Sequence, residues 1–450
     1  MKKGFALILA FMLAVTLTAC GGAKTGEDGA GAASEGAGTE SGSNGGSAAE
    51  PAQEKVSIII TNGKGEIASQ WEQAAKDFMA ANPDIEVIPY SSAVGDTLSI
   101  LDKLTASGET VTVAMLEPSG VLYKYKDFGI DLSGEKWNEE TDSAIKDANG
   151  LVKGFPFAIE GFGLVYNKSV VEKAVGGTFD PFSINTRDKL VELLDKIKAS
   201  GVEYPIAYQT EAWSISNHYG TQFLNQAEDG GSIVAQLYEG KFDLLNNAAW
   251  NGYMDTMDLL ASKEYNKYGE RPLGQYYDDA HVSVGKGESA MLFNGNWAFD
   301  SLKALEGDSF GFIPVPNDNN PVNPLNNKLV AGPTQILAIN KDATPEQQAA
   351  GKKFLEWLVY DEKGQDFLVN QAQIISAFKN NPHKVTNPLG AAIADAVVQG
   401  KTMPFSTNYV IADDWYKIIG PEVEKYLAKK NDRAALAQFI QKYYTDRAGK

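Results

Sequence analysis

The sequence predicts an α/β protein built as two lobes, and three observations carry that expectation. Short apolar runs alternate with segments whose apolar residues recur at helical spacing, the pattern of strands interleaved with helices. The chain beyond residue 55 is long enough for two sizeable domains. A polar loop containing glycine, Thr61 to Glu66, follows the first strand, where open α/β sheets bind ligands, although a plain connecting loop reads the same way.

In chain order, the N-terminus comes first. Lys2 and Lys3 precede an apolar run from Phe5 to Val15, too short to span a bilayer, which marks a secretory signal over residues 1–20. The run ends in Leu17-Thr18-Ala19-Cys20, which resembles the lipobox of bacterial lipoproteins, whose cysteine is lipidated after cleavage. An ordinary secretory signal with an incidental cysteine is the plainer alternative. Residues 21–55 are Gly, Ala, Ser and Glu with almost no large apolar side chains, a composition that cannot repay the entropy of ordering. This stretch is a linker, and the expected location is the extracellular face of the membrane, anchored through Cys20.

The folded part opens as a β-α-β unit. Val56 to Ile60 reads as a strand, Trp71, Ala74, Ala75, Phe78 and Met79 form one helical stripe, Asn82-Pro83 ends it, and Ile85 to Ile88 is the next strand. Thr186 caps a helix with the stripe Leu190, Val191, Leu194 and Ile197, Gly201 closes it, and Tyr204 to Tyr208 reads as a strand. Ala290 to Phe293 is a strand, Asn294-Gly295-Asn296 a turn, and Trp297 heads a helix. Thr344-Pro345-Glu346 starts a helix that buries Ala350, Phe354, Leu355, Leu358 and Val359. The last helix places Leu436, Phe439 and Ile440 on one side.

Composition narrows the function. The chain carries a formal charge of −18; residues 1–55 hold four lysines against six acids, leaving the remainder at −16. That argues against nucleic acid and anionic lipid as ligands. With Cys20 the only cysteine, the folded part has no disulfide, zinc-thiolate site or thiol nucleophile, and the three histidines have no metal-ligand spacing. Adjacent acids at Glu139-Glu140, Asp278-Asp279 and Asp413-Asp414 diverge on any regular element and read as solvated surface. Nucleotide-binding, metalloprotease and serine-hydrolase motifs are missing. No enzyme activity, cofactor or metal is expected.

Aromatics beside polar residues are more telling. A sugar ring has an apolar face edged by hydroxyls, so its site needs flat aromatics flanked by carboxylates and amides. Glu211 with Trp213, Asn294 and Asn296 with Trp297, and Asp413-Asp414 with Trp415-Tyr416 supply both partners. Any single tryptophan is more often core, but three at strand ends or in loops shift the balance.

A family resemblance enters at these residues. Phe155-Pro156-Phe157-Ala158-Ile159-Glu160-Gly161-Phe162-Gly163-Leu164-Val165-Tyr166-Asn167-Lys168 resembles the first interlobe crossing of extracellular solute-binding proteins of sugar ABC importers. Ala290 to Trp297 resembles their AM-x-x-x-G-x-W segment, whose tryptophan stacks on the sugar. Gly400 to Pro404 with Trp415-Tyr416 is similar to the late segment of the maltodextrin-binding members, and Thr61 to Gly65 to their first loop. The resemblance implies a two-lobed periplasmic-binding-protein type II fold of the maltose-binding kind, with hinge crossings near Ile159-Glu160, Val330-Ala331 and Ala372–Ile374. One lobe would take residues 56–159 and 331–372, the other 160–330 and 373–450.

The same resemblance implies the function and its residues. Asn62 and Lys64 would be polar contacts from the first lobe, Glu160 a carboxylate at the crossing, and Glu211 an acceptor of sugar hydroxyls beside Trp213. Trp297, Trp415 and Tyr416 would stack on sugar rings. Where maltodextrin binders carry an aromatic and an Asp-Arg pair, this chain has Met115-Leu116-Glu117-Pro118-Ser119, leaving Glu117 as the substitute, and the first loop lacks their aspartate. The implied protein is a monomer that captures a sugar and delivers it to an ABC permease. A same-fold binder of a polyamine or organic anion, and a surface-tethered glycosidase, are the rival functions.

Overall fold

The computed structural model describes residues 55–91, 97–119, 125–147, 149–209, 211–227, 230–269, 276–302, 309–406 and 414–448. The expected signal segment, Cys20, the linker up to residue 54, and Asp413 lie outside the described residues. No helix among them is long and apolar enough to cross a membrane.

Nine strands among the described residues make one continuous sheet: β1 (Val56–Asn62), β2 (Ile85–Ser91), β3 (Val111–Leu116), β4 (Ile145–Lys146), β5 (Val152–Asn167), β6 (Met291–Gly295), β7 (Phe310–Ile313), β8 (Leu329–Ile339) and β9 (Thr402–Met403). β1 lies between β2 and β3, parallel to both. The helix Ala68–Ala81 joins β1 to β2 and buries Trp71, Ala74, Ala75 and Phe78 on the sheet, the face its apolar stripe dictates.

Two long strands carry the architecture. The first part of β5 pairs with β4 and β8, and its last part pairs with β6 and β7. β8 pairs with β9 at its start and with β3 at its end. Between these zones Glu160 lies opposite Gly332, Gly161 opposite Ala331, and Ile159 bridges to Ile375, so three connecting segments run side by side. A Cβ at Gly161 would stand 2.7 Å from the Val330 carbonyl oxygen, which restricts that position to glycine.

Two large clusters of buried residues fill the molecule. One is built on Trp71, Phe78, Phe157 and Phe354, with Trp71 set edge-on to Phe157 at 5.6 Å and to Phe354 at 5.7 Å. It also takes in Leu292 of β6 and Phe310 and Phe312 of β7. The other is built on Tyr208, Tyr219, Trp250, Trp415 and Tyr444. The helix Arg187–Ala199 starts where Thr186 accepts from the Lys189 N–H, and the helix Pro345–Tyr360 starts in a reciprocal Thr344–Gln347 capping box.

Four local expectations differ from the structure. Asn294 and Gly295, expected in a turn, end β6 opposite Gly163 and Phe162, because the ladder to β5 continues through them. Tyr204 to Tyr208 is extended but holds only single bridges, from Ile206 to Asn266 and Met291, because Pro205 has no N–H to extend a ladder. Trp297 sits in a 3-10 helix, Asn296–Leu302. Phe439 in the last helix, Arg433–Thr445, is exposed: the buried stripe is Leu436, Ala437, Ile440, Tyr443 and Tyr444, and Phe439 falls off its edge.

Candidate ligand-binding site

A cavity of ≈ 380 Å³ opens where the three connecting segments meet. β1 and the loop after it contribute Lys64 and Glu66, β5 contributes Ile159 and Glu160, and the segment after β6 contributes Asn296, Trp297 and Asp300. Gln373 and the Thr386–Pro388 turn close the remaining wall. The volume falls in the range of small-ligand sites, roughly 300–1,000 Å³.

Its polar centre is an ion pair. The Lys64 Nζ donates to Glu160 Oε1 at 2.8 Å, and both side chains are about nine-tenths buried. Glu66 lies 2.6 Å from the same ammonium, and the Thr334 hydroxyl on β8 donates to the second Glu160 oxygen. Burial lowers the pKa of Lys64, but Glu160 and Glu66 outweigh it and hold the group above the ordinary lysine value. Burial pushes Glu160 up, yet Lys64 and the Thr334 hydroxyl leave it below the usual carboxylate range. Both groups are charged near neutral pH. Asn62 has a different job from the one expected: it is buried, its Oδ1 accepts from the Lys64 N–H at 2.9 Å, and its Nδ2 donates to the Lys64 carbonyl, also at 2.9 Å. It shapes the loop that presents Lys64.

Trp297 gives the cavity a flat apolar wall. Its ring packs over Gly295, where an added Cβ would lie 2.2 Å from the indole carbons. The preceding residue, Asn296, is pinned because its Oδ1 accepts from the Gly161 N–H at 2.9 Å. Trp213 reaches the same region from the turn before the π-helical segment Ser214–Tyr219, with its ring 6.4 Å from that of Trp297. Both indoles are partly exposed.

The other expected residues scatter. Glu117 is exposed at the end of β3. Glu211 keeps both carboxylate oxygens out of solvent, with no hydrogen-bond partner among the other described residues. Burial pushes it up to about 7; its own backbone N–H opposes, and Asp278 and Glu424 add to the rise. Trp415 is a core residue rather than a stacking surface: it is 1% exposed, packs on Tyr443 and Tyr444, and donates its Nε1–H to the Ser216 carbonyl at 3.1 Å. The helix Trp415–Leu427 begins with that indole turned inward, which leaves Tyr416 partly exposed beside Lys417. Among the described residues no cluster of three or more His, Cys, Asp or Glu side chains could hold a metal ion.

Sequence reasoning missed Gln373, Thr334 and His218. Gln373 has φ 52°, a left-handed backbone for a non-glycine residue, and its Oε1 accepts from the Thr386 hydroxyl and the Asn387 N–H. Nothing in the sequence signals that conformation. His218 lies five residues after Trp213, close enough to have been read with it.

Comparison with known proteins agrees with this fold. Residues 73–394 match the family of bacterial extracellular solute-binding proteins. A family 1 extracellular solute-binding protein from Bifidobacterium longum subsp. infantis superimposes with TM-score 0.66 at 20% identity, covering 87% of this chain and 100% of that one. The apo form of RafE from Streptococcus pneumoniae gives 0.68 at 17%, covering 89% and 100%, and RafE has also been solved in complex with raffinose. A sugar transporter from Bacillus licheniformis in complex with stachyose gives 0.65 at 16%, covering 87% and 100%. The fold is therefore the two-lobed solute-binding fold, and with most of its folded part matching the family, this chain belongs to the bacterial extracellular solute-binding proteins.

Proposed function

We propose that this protein captures a carbohydrate, with an oligosaccharide the first choice, in the cavity between its lobes and delivers it to the permease of an ABC importer. In this reading it acts as a monomer at the outer face of the membrane, lipid-anchored through Cys20. The observation that carries the proposal is the pairing of a flat indole, Trp297, with the buried Lys64–Glu160 ion pair across one cavity. A sugar has the matching shape, an apolar ring face with hydroxyls at its edge. Solved proteins of this fold whose names specify raffinose and stachyose lend support.

Capture works through the hinge. Lys64 comes from the first lobe and Trp297 from the second, so a ligand touching both binds the closed arrangement better and shifts the lobes toward it. Bending at Glu160, Ala331 and Gln373 would divide residues 56–159 and 331–372 from 160–330 and 373–450. Each buried hydroxyl needs a partner, since an unpaired one costs about 1–3 kcal/mol, and this gives selectivity.

The rival readings find less to stand on. A polyamine site calls for converging carboxylates free of a cation, whereas Glu66 and Glu160 in the cavity both lie on the Lys64 ammonium, Glu117 is exposed, and Glu211 is shut from solvent. A glycosidase needs two carboxyl groups facing one substrate, whereas Glu160 is ion-paired with Lys64 and Glu211, the carboxyl raised to about 7, is shut from solvent.

A thermal-shift screen against mono- and oligosaccharides and polyamines tests the proposal. A sugar at 100 times its dissociation constant raises stability by about 2.7 kcal/mol, and chromatography recovers it uncut. A response to polyamines alone, or shortened sugars, would replace the reading.

A further inference from the structure

His218 does not line the cavity but packs against Trp297, which does. The histidine sits within the π-helical segment Ser214–Tyr219, an irregular turn of a kind common at functional sites. Four aromatic rings frame the imidazole: Phe162 stacks on it at 5.2 Å with 13° between planes, while Trp213 at 5.2 Å, Trp297 at 5.1 Å and Phe405 at 5.2 Å meet it edge-on. None of the four offers the ring nitrogens a carbonyl or carboxylate. The other two histidines make hydrogen bonds, although the buried Nε2 of His383 has no partner among the described residues. His281 Nδ1 donates to the Tyr277 carbonyl at 2.6 Å and its Nε2 accepts from Asn294, and His383 Nδ1 accepts from Asn370. The His218 ring has no hydrogen bond to any described residue, and the residue is partly exposed.

We infer that His218 is a ligand-recognition residue, a neutral imidazole set in an aromatic frame that hydrogen-bonds a hydroxyl of the bound sugar beside Trp297. The inference rests on the proposed carbohydrate function and extends it to a residue outside the expected set. A neutral imidazole has one N–H and one lone pair, and a hydroxyl can answer either, so the pair can form in either tautomer. An ammonium or carboxylate ligand has no such freedom. The apolar frame favours the neutral ring: burial pushes its pKa down to about 3, with Glu160 pulling the other way. Because Trp213 and Trp297 both touch the ring, a sugar stacked on Trp297 brings its edge hydroxyls to the imidazole.

The test uses the folded chain with maltotriose, raffinose, stachyose and chitotriose as probes, measured by calorimetry on wild type, His218→Phe and His218→Gln. Phenylalanine keeps the ring packing and removes both nitrogens, and circular dichroism checks the fold. The expected result is a loss of roughly tenfold or more in affinity for the bound sugar in His218→Phe, with partial recovery in His218→Gln. A deoxy analogue lacking the contacted hydroxyl should bind wild type and His218→Phe equally. Wild-type binding with unchanged affinity in a folded His218→Phe overturns this inference alone. No binding of any sugar to wild type overturns the carbohydrate reading and this inference with it.

Discussion

The Trp297 indole rests on the bare backbone of Gly295, two residues before it, at a spacing no side chain could share. The glycine therefore sets where the flat wall of the cavity stands. Gly295→Ala should push the indole out of place, lowering affinity for a stacked ligand roughly tenfold and stability by about 1–3 kcal/mol. Fluorescence titration alongside chemical denaturation checks both, and an alanine variant with wild-type affinity would remove the stacking role.

The Lys64–Glu160 pair should behave as one unit. Lys64→Met leaves the Glu160 carboxylate buried without its cation and should cost about 3–5 kcal/mol, Glu160→Gln should cost less because Glu66 still pairs with Lys64, and the double variant recovers part of the first loss. Glu160 is depressed in the folded state, so its contribution is full above the ordinary carboxylate value and fades as pH falls through its folded pKa. Lys64 is raised, so its contribution is full below the ordinary lysine value and fades as pH rises through its folded pKa. Urea titrations at several pH values should find a shallower acid limb in Glu160→Gln.

Glu211 acts in the opposite sense. Its folded pKa is raised from 4.5 to about 7, so the folded state holds more protons than the unfolded state in that window. Stability should fall as pH climbs from about 4.5 to about 7 and level off above it. Glu211→Gln should abolish that fall and be more stable than wild type at pH 8 by as much as about 3–4 kcal/mol, since each pKa unit corresponds to about 1.36 kcal/mol. A wild-type profile that is flat across this range would count against the orphaned carboxylate.

Trp415 separates folding from binding. Trp415→Phe strands the Ser216 carbonyl and leaves space against Tyr443 and Tyr444, and should cost about 1–3 kcal/mol. Ligand affinity, measured well below the melting transition, should stay within about twofold. A large affinity loss in the folded variant would return Trp415 to the site.

Local features were readable from the sequence where one short segment holds all the determinants. The Thr344 cap, the stripe of Ala68–Ala81 and the strand before Asn294 each depend on neighbours a few residues away. The site itself is only half legible. Lys64 and Glu160 stand 96 residues apart, and nothing local shows that their charges meet. Trp415 carried the same aromatic-beside-acid signal as Trp297, but Tyr443 and Tyr444, from a helix that comes later, decide that its ring turns inward. Asn62 was polar in the right loop, yet both ends of its amide serve the backbone of Lys64. His218 passed unremarked because isolated histidines invite a search for metals, whereas here the frame is aromatic.

The passage of β5 and β8 through both halves sets the order in which the molecule can be completed. Val113 of β3 pairs with Ile60 of β1 on one side but waits for Ile339 on the other, and Phe155 of β5 waits for Leu337. A nascent chain stopped short of β8 would present β3 and β5 as open edges, inviting association with other chains. A length of polypeptide still missing β8 therefore leaves the sheet unfinished, because β8 is the strand that joins β3 to β5.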